Sequence, residues 1–80
     1  MDYPITDYNL KELFWEYDCK NLYVTKHKSF IIGRVLEIGR VEHLKTLWQL
    51  YGKRVILGEI VSNPYIKAST QKFWQIVYRV

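Results

Sequence analysis

The chain has 80 residues, enough for one small domain, and its content of 49% hydrophobic residues with three tryptophans excludes a disordered tail. A single cysteine, Cys19, excludes an internal disulfide framework and indicates a reducing compartment. Residues 1–19 carry five acidic residues and one lysine, a net of −4, whereas residues 20–80 carry eleven basic and three acidic residues, a net of +8. The basic body suits phosphates or an acidic partner, or it is a solvated face of mixed charge.

The N-terminal stretch MDYPITDYNL carries two acidic residues where a signal peptide requires a basic start and an apolar run. No stretch approaches the roughly 20 apolar residues of a membrane-spanning helix. We therefore expect a cytoplasmic protein that does not bind membranes.

The first predicted element is a helix in TDYNLKELFWEYD, residues 6–18. Four apolar residues recur at the i, i+3, i+4, i+7 spacing of a buried helical face: Leu10, Leu13, Phe14 and Tyr17. Thr6 or Asp7 is the expected N-cap.

Two further helices follow in chain order. TKHKSFIIGRVLEIG predicts one that is capped by Thr25 and ends at a left-handed Gly39. Its expected buried residues are Phe30 or Ile31, Val35 and Ile38. RVEHLKTLWQLYG predicts another that ends at Gly52. Its expected buried face comprises Val41, Leu44, Leu47, Trp48 and Tyr51.

The C-terminal third is ambiguous. KRVILGEIV, residues 53–61, is rich in β-branched residues and suits a strand as well as a short buried helix. Pro64 marks a turn. In the last segment, helical spacing fits one set of apolar residues: Phe73, Ile76, Val77 and Val80. Strand alternation fits another set: Trp74, Ile76, Tyr78 and Val80. Ser69 or Thr70 as an N-cap favours a helix.

Together these elements predict a single all-α domain over residues 1–80. It would be a compact bundle of four or five short helices, with the last two arranged like a helix-turn-helix.

The sequence contains no catalytic or metal-binding signature. His27 and His43 lie in different elements without HExxH spacing, and one cysteine cannot begin a structural zinc site. Cys19 with either histidine is the only nucleophile and base pair to consider, and a buried or idle thiol is the simpler interpretation. The glycines form no nucleotide-binding loop. We expect a protein that is not an enzyme and that has no metal or cofactor.

The arrangement of the last two helices predicts a nucleic-acid interface. In a helix-turn-helix, the polar first turn of the second helix reaches bases and phosphates of double-stranded DNA. The residues expected to make such contacts are Lys53, Arg54, Lys67, Ser69, Thr70, Gln71 and Lys72. The alternative is that Ser69 and Thr70 only cap a core helix, and the turn is longer than the usual three or four residues.

The stretch LFWEY, residues 13–17, predicts a protein-binding anchor. Its expected contacts are Phe14, Trp15 and Tyr17. Trp15 lies off the apolar face of an acidic helix, and interface hot spots favour Trp and Tyr. The alternative is that a short first helix packs on two sides.

Four segments in order carry a family resemblance: LFWEYD, KHKSFIIGRVLEIG, LWQLYG and STQKFW. They resemble short prokaryotic proteins with the pattern LFWD, KHKxFIIxRVLExG, YG and TxxFW, which are found beside AbiEii/AbiGii-type nucleotidyltransferase toxins. The matching residues are Leu13, Phe14, Trp15, His27, Lys28, Phe30, Ile31, Ile32, Arg34, Val35, Leu36, Glu37, Gly39, Tyr51, Gly52, Thr70, Phe73 and Trp74. The chain departs from the pattern at Glu16, where Asp is usual, and in the β-branched segment 53–68.

The resemblance implies a non-catalytic, antitoxin-like protein that binds a partner toxin. Its basic C-terminal half would add DNA binding, on a surface separate from the aromatic anchor. The alternative is a protein-protein interaction module without nucleic-acid binding. Homo-oligomerisation stays open.

Overall fold

A computed structural model of the chain describes residues 2–79. Three 3₁₀ turns, Ile5–Asp7, Asn9–Leu13 and Cys19–Asn21, precede the α-helices. The helices are α1 (Lys28–Ile38), α2 (Val41–Tyr51), α3 (Lys53–Ser62) and α4 (Ala68–Tyr78). The only strand-like pairing among the described residues is an isolated bridge between Pro4 and Tyr23. The predicted all-α class is therefore confirmed, and the alternative of a strand over 53–61 is excluded.

The core lies where α1 packs against α2, α3 and the second 3₁₀ turn. Its buried apolar side chains are Ile5, Leu10, Leu13, Phe14, Leu22, Ile31, Ile32, Val35, Leu36, Leu47, Ile56, Ile60 and Ile66. Because α1 contributes four of them and meets three neighbours, it is the central element of the fold. None of the four helices has the length and apolarity that crossing a bilayer requires, in the part of the chain that the structure describes.

The first predicted helix is a 3₁₀ turn instead, and the reason is a tertiary contact. Arg34 on α1 donates from Nε to the carbonyl oxygen of Leu13 at 2.9 Å. That carbonyl does not serve an i+4 helical bond, and the amide of Tyr17 bonds to Phe14 instead, at 3.0 Å. Tyr17 is consequently 45% exposed, although the helical spacing predicts its burial.

The N-terminal segment is tied to the chain that precedes α1. The amide of Val24 donates to the carbonyl of Tyr3, and the Asp2 carboxylate accepts from the amides of Thr25 and Lys26, at 2.7 and 2.9 Å. Desolvation raises the pKa of Asp2, but these amide hydrogen bonds outweigh it and hold the pKa below its ordinary value. The carboxylate therefore stabilises the fold above about pH 4, and this contribution is lost as the pH falls through the lowered pKa.

Helix ends agree with the sequence at one glycine and differ at another. Gly52 has a φ of 83°, the left-handed side where glycine is favoured, as predicted. Gly39 is extended, with φ −74° and ψ 161°, instead of left-handed. Thr25 does not cap α1, because the flanking residue is His27, whose Nδ1 accepts from the amide of Tyr23 at 2.9 Å.

The last helix buries a different face from the one that the sequence predicts. Lys67 is its N-cap, so that Ser69 and Thr70 lie within the first turn. Trp74 donates from Nε1 to the carbonyl of Leu36 at 2.9 Å, while Tyr78 packs on Trp48 of α2, with ring centroids 5.4 Å apart. Trp and Tyr side chains stabilise a fold most when the ring packs against other apolar groups and its polar atom has a hydrogen-bond partner. The smaller apolar residues on the other face are therefore exposed: Phe73, Ile76 and Val77.

Two further predicted core residues, Ile38 and Val41, are also exposed. They border the two-residue connection between α1 and α2, where the chain turns at the surface. Val80 lies outside the described residues.

The predicted turn at residues 63–65 is present, and Asn63 fixes it to α1. Asn63 is 4% exposed, and its Nδ2 donates to the carbonyl of Ser29 at 2.7 Å and to Glu59 at 2.9 Å. Its Oδ1 accepts from the amide of Tyr65 at 2.7 Å. The approach is so close that a Cβ at Gly33 would lie 2.9 Å from the Cβ of Tyr65. The link between α3 and α4 is therefore held against α1.

We expect Asn63→Ala to lower the free energy of unfolding by about 1–3 kcal/mol, because the carbonyl of Ser29, the carboxylate of Glu59 and the amide of Tyr65 all lose their hydrogen-bond partner. Urea denaturation measures the loss. Gln49→Ala, an exposed position on α2, is the control and should change stability by only a few tenths of a kcal/mol. A loss equal to that of the control would contradict the role of Asn63.

Candidate functional site

A cleft of about 520 Å³ opens between residues 13–17, α1 and the start of α4. We call it the Trp15 cleft, and its lining residues are Trp15, Phe30, Arg34, Glu37, Ile38, Tyr65, Lys67, Ser69 and Thr70. Five residues of the pattern described in the sequence analysis line this cleft, from three parts of the chain. They are Trp15, Phe30, Arg34, Glu37 and Thr70.

Arg34 builds the first wall of the cleft. Its guanidinium lies 4.8 Å from the centroid of the Trp15 ring and forms an ion pair with Glu16. With the bond from Nε to the carbonyl of Leu13, these contacts fasten the aromatic segment to α1. Trp15 is thereby held at the rim with 71% of its surface exposed.

A chain of aromatic contacts forms the second wall. Phe30 lies between the ring of Tyr17, at 5.2 Å between centroids, and the ring of Tyr65, at 5.4 Å. Both contacts are edge-to-face, which is a favourable arrangement for aromatic pairs. Because Tyr65 belongs to the turn that Asn63 fixes, this wall depends on that turn.

The third wall is the start of α4, where the charges are nearly balanced. The backbone amide of Lys67 donates to Glu37 Oε2 at 3.2 Å, which places a carboxylate at the positive end of the helix. The positive charges of Arg34 and Lys67 are thus matched by Glu16 and Glu37. A surface that is aromatic and nearly neutral suits a protein partner better than a phosphate group.

The Trp15 cleft continues onto the exposed face of α4. A second groove of about 360 Å³ shares Glu37, Ser69 and Thr70 with the cleft and extends to Phe73. Three apolar side chains of α4 at i, i+3 and i+4 are exposed by 57%, 69% and 50%, and we call them the α4 stripe: Phe73, Ile76 and Val77. Cleft and stripe form one surface.

Of the residues predicted to anchor a protein partner, two are accessible. Trp15 and Tyr17 are exposed, whereas Phe14 is 1% exposed and packs in the core. Phe14 can therefore support the anchor but cannot contact a partner in the folded protein.

The residues predicted to bind nucleic acid do not lie together. Lys67, Ser69 and Thr70 line the Trp15 cleft. The side-chain amide of Gln71 donates to the carbonyl of Val61. Lys72 is exposed on α4.

Lys53 and Arg54 lie at the start of α3, whereas the link to α4 follows the end of α3. With ten residues, α3 is about 15 Å long. The structure therefore does not separate a protein face from a nucleic-acid face as expected, because Lys67 shares the Trp15 cleft with Trp15.

Sequence reasoning assigned no role to Arg34, Glu37 and Tyr65. The signal that marks Arg34 is a charged residue within the otherwise apolar run FIIGRVL, the most buried part of α1. Nothing local marks Tyr65, because its place follows from the hydrogen bonds of Asn63.

The titratable groups considered for catalysis hold structural positions. His43 is 3% exposed, and its Nδ1 accepts from the amide of Arg40 at 3.0 Å, so that Nε2 donates to Glu12 at 2.9 Å. Burial, followed by the nearby Asp18 charge, raises the pKa of the Cys19 thiol. Among residues 2–79, no three His, Cys, Asp or Glu side chains gather in a metal-binding arrangement.

Fold and site together define a small all-α protein with an exposed aromatic surface. The chain belongs to a family of unknown function, DUF6922, whose sequence profile matches residues 9–60. This range contains Trp15, Arg34 and Glu37 and ends within α3. No curated protein and no solved structure is detectably similar to the chain.

We expect Arg34→Lys to lower the free energy of unfolding by about 1–2 kcal/mol. Lysine lacks the planar fork that bonds Leu13 and Glu16 together, and it stacks less well on Trp15. Thermal or urea denaturation measures the change. Arg54→Lys, at an exposed position, is the matched control. Equal stability of the two variants would show that Arg34 does not anchor the aromatic segment.

Proposed function

We propose that the chain is a non-catalytic, antitoxin-like protein that binds a partner toxin of the nucleotidyltransferase type through the Trp15 cleft and the α4 stripe. The observation that carries this proposal is the exposed α4 stripe, which is connected to the exposed Trp15 by two grooves that share Glu37, Ser69 and Thr70. Single exposed apolar residues are common, but contiguous apolar surface with a polar rim is characteristic of protein interaction sites.

The composition of the surface supports a protein partner. Trp, Tyr and Arg are the residue types that carry most binding energy at interfaces, and the Trp15 cleft contains one of each: Trp15, Tyr65 and Arg34. Arg34 and Trp15 are already held in place by intramolecular contacts, so that binding costs little further ordering. The class of partner comes from the resemblance to proteins encoded beside such toxins.

DNA binding is a separate part of the proposal. Its support is the exposure of four basic residues: Lys53, Arg54, Lys67 and Lys72. However, three of the four exposed side chains of α4 after its first turn are apolar, whereas the major groove offers mainly hydrogen-bonding groups. The alternative, an interaction module that binds protein and no nucleic acid, is favoured by this apolar face.

For the protein partner, we expect the tagged chain, purified from its native host after nuclease treatment, to retain a nucleotidyltransferase-type protein in stoichiometric amount. Trp15→Ala should weaken that complex by about 2 kcal/mol, roughly 30-fold, because a hot-spot ring is lost. Calorimetry with the purified partner gives the number.

Tyr3→Ala removes a comparably exposed ring outside the cleft and is the control. Absence of such a partner would contradict the proposal. Equal affinities of the two variants would contradict the site.

For DNA, we expect the chain to bind a random duplex with an affinity that falls steeply with salt, because lysine and arginine displace counterions from phosphates. Joint replacement of Lys53 and Arg54 by Glu should reduce the slope of log affinity against log salt by about 2. Fluorescence anisotropy measures both. Trp15→Ala should leave the slope unchanged. If the chain does not bind the duplex, or if binding does not depend on salt, the proposal of DNA binding fails and the interaction module without nucleic-acid binding is favoured.

A further inference from the structure

The α4 segment and its two caps carry only basic charged residues, while Glu37 of α1 lines the groove that reaches Phe73. Between residues 67 and 79 the charged residues are Lys67, Lys72 and Arg79, all exposed, and the segment contains no acidic residue. None of the three forms a side-chain ion pair within the described part of the chain. Because Glu37 already lies at the Lys67 end of the helix, the charges available to a partner beside the stripe are those of Lys72 and Arg79.

The positive charge lies along one edge of the stripe. Lys72 precedes Ile76 by four residues and so lies on the same side of the helix, one turn earlier. Arg79 follows Ile76 at the end of α4, where its φ of 57° and ψ of 48° stop the helix. Phe73 and Val77, four residues apart, form the opposite edge. The exposed face of α4 thus has one apolar edge and one basic edge.

We infer that the occupant of the α4 stripe is an amphipathic helix of the partner protein, with acidic residues on the edge that meets Lys72 and Arg79. This inference rests on the proposed function and specifies the chemistry of the contact. Apolar side chains at i, i+3 and i+4 are the pattern that one helix presents to another. Opposite charges along the rim steer the encounter and fix the register of the two helices.

A second copy of the chain does not provide acidic residues opposite Lys72 and Arg79. An antiparallel two-fold contact through the α4 stripe would bring the two basic edges together, and a parallel one would place each basic edge against an apolar edge; in neither case does α4 supply an acidic residue. Like charges placed side by side oppose association.

A membrane surface does not fit the α4 stripe either. Trp74 and Tyr78 turn half of α4 towards α1 and α2, which leaves only the three side chains of the stripe for lipid. Helices that lie in a membrane interface present a larger apolar face.

The test uses two synthetic peptides of roughly 18 residues, long enough to be helical, with the same leucine stripe. One carries Glu along one edge of the stripe and the other carries Lys. We expect the chain to bind the Glu peptide at least about tenfold more tightly than the Lys peptide, and Lys72→Glu to abolish or reverse that preference.

Ile76→Asp should abolish binding of the Glu peptide. Val41→Asp, at a comparably exposed valine position of α2, should leave it unchanged. Circular dichroism confirms that both variants are folded. Equal affinity for the two peptides, no binding, or binding that survives Ile76→Asp would overturn the inference.

Two further outcomes would also overturn it. A dimer in sedimentation that Ile76→Asp dissociates would assign the α4 stripe to a second copy. Binding to phosphatidylserine vesicles but to neither peptide would assign it to a membrane.

The two proposals can fail separately. If a nucleotidyltransferase-type protein binds the wild type and Ile76→Asp equally, the class of partner stands, but the α4 stripe is not part of its site and the inference about α4 fails. If the Glu peptide binds and no such protein is found, the chemistry of the α4 stripe stands and the identity of the partner fails.

Discussion

The hydrogen bonds of Asn63 are the constraint on which the candidate surface depends. They hold the turn between α3 and α4 against α1, at a point where only glycine fits at position 33. Tyr65 consequently reaches Phe30, and Lys67 reaches Glu37. Together with the bond from Trp74 to the carbonyl of Leu36, this attachment turns the start of α4 towards α1, and two walls of the Trp15 cleft depend on that arrangement.

Arg34 is the second constraint, because its side chain takes a carbonyl oxygen that an α-helix over residues 9–17 would need for its own backbone hydrogen bond. A segment with helical spacing gives up its helix because one carbonyl bonds to α1 and three neighbouring rings pack around the guanidinium. The lost helical bonds are offset by burial of Leu13 and Phe14 and by the stacking of Trp15. Asn63 and Arg34 thus attach two peripheral segments to the same helix, and the space between the two segments is the cleft.

Local patterns predict much of this fold. The burial of Leu47 follows from the helical spacing of apolar residues, and the end of α2 at Gly52 follows from the preference for glycine at positive φ. Both rules involve only a few neighbouring residues. Pro64 likewise ends α3 as expected. The 3₁₀ form of residues 9–13 could not be predicted, because it depends on Arg34, which lies twenty-one residues after Leu13. Long-range hydrogen bonds of this kind leave no periodic signal.

The site shows the same division. The off-face position of Trp15 predicts its exposure, since a helical pattern shows which residues do not fit the apolar face. On α4 the sequence offers two apolar faces, and contacts with Leu36 and Trp48 decide that Trp74 and Tyr78 pack against the core, where both are partly buried. That Trp15 and Lys67 line the same cleft could not be predicted, because this arrangement follows from the hydrogen bonds by which Asn63 holds the link between α3 and α4 against α1.

We have proposed that Trp15 and the α4 stripe belong to one partner-binding surface. Hydrogen–deuterium exchange of the complex, compared with the free chain, is the decisive measurement. We expect slower exchange in both residues 13–18 and residues 68–79 when the partner is bound. Protection of one segment with unchanged exchange in the other would show that the two are separate surfaces and would refute the proposal of a single surface.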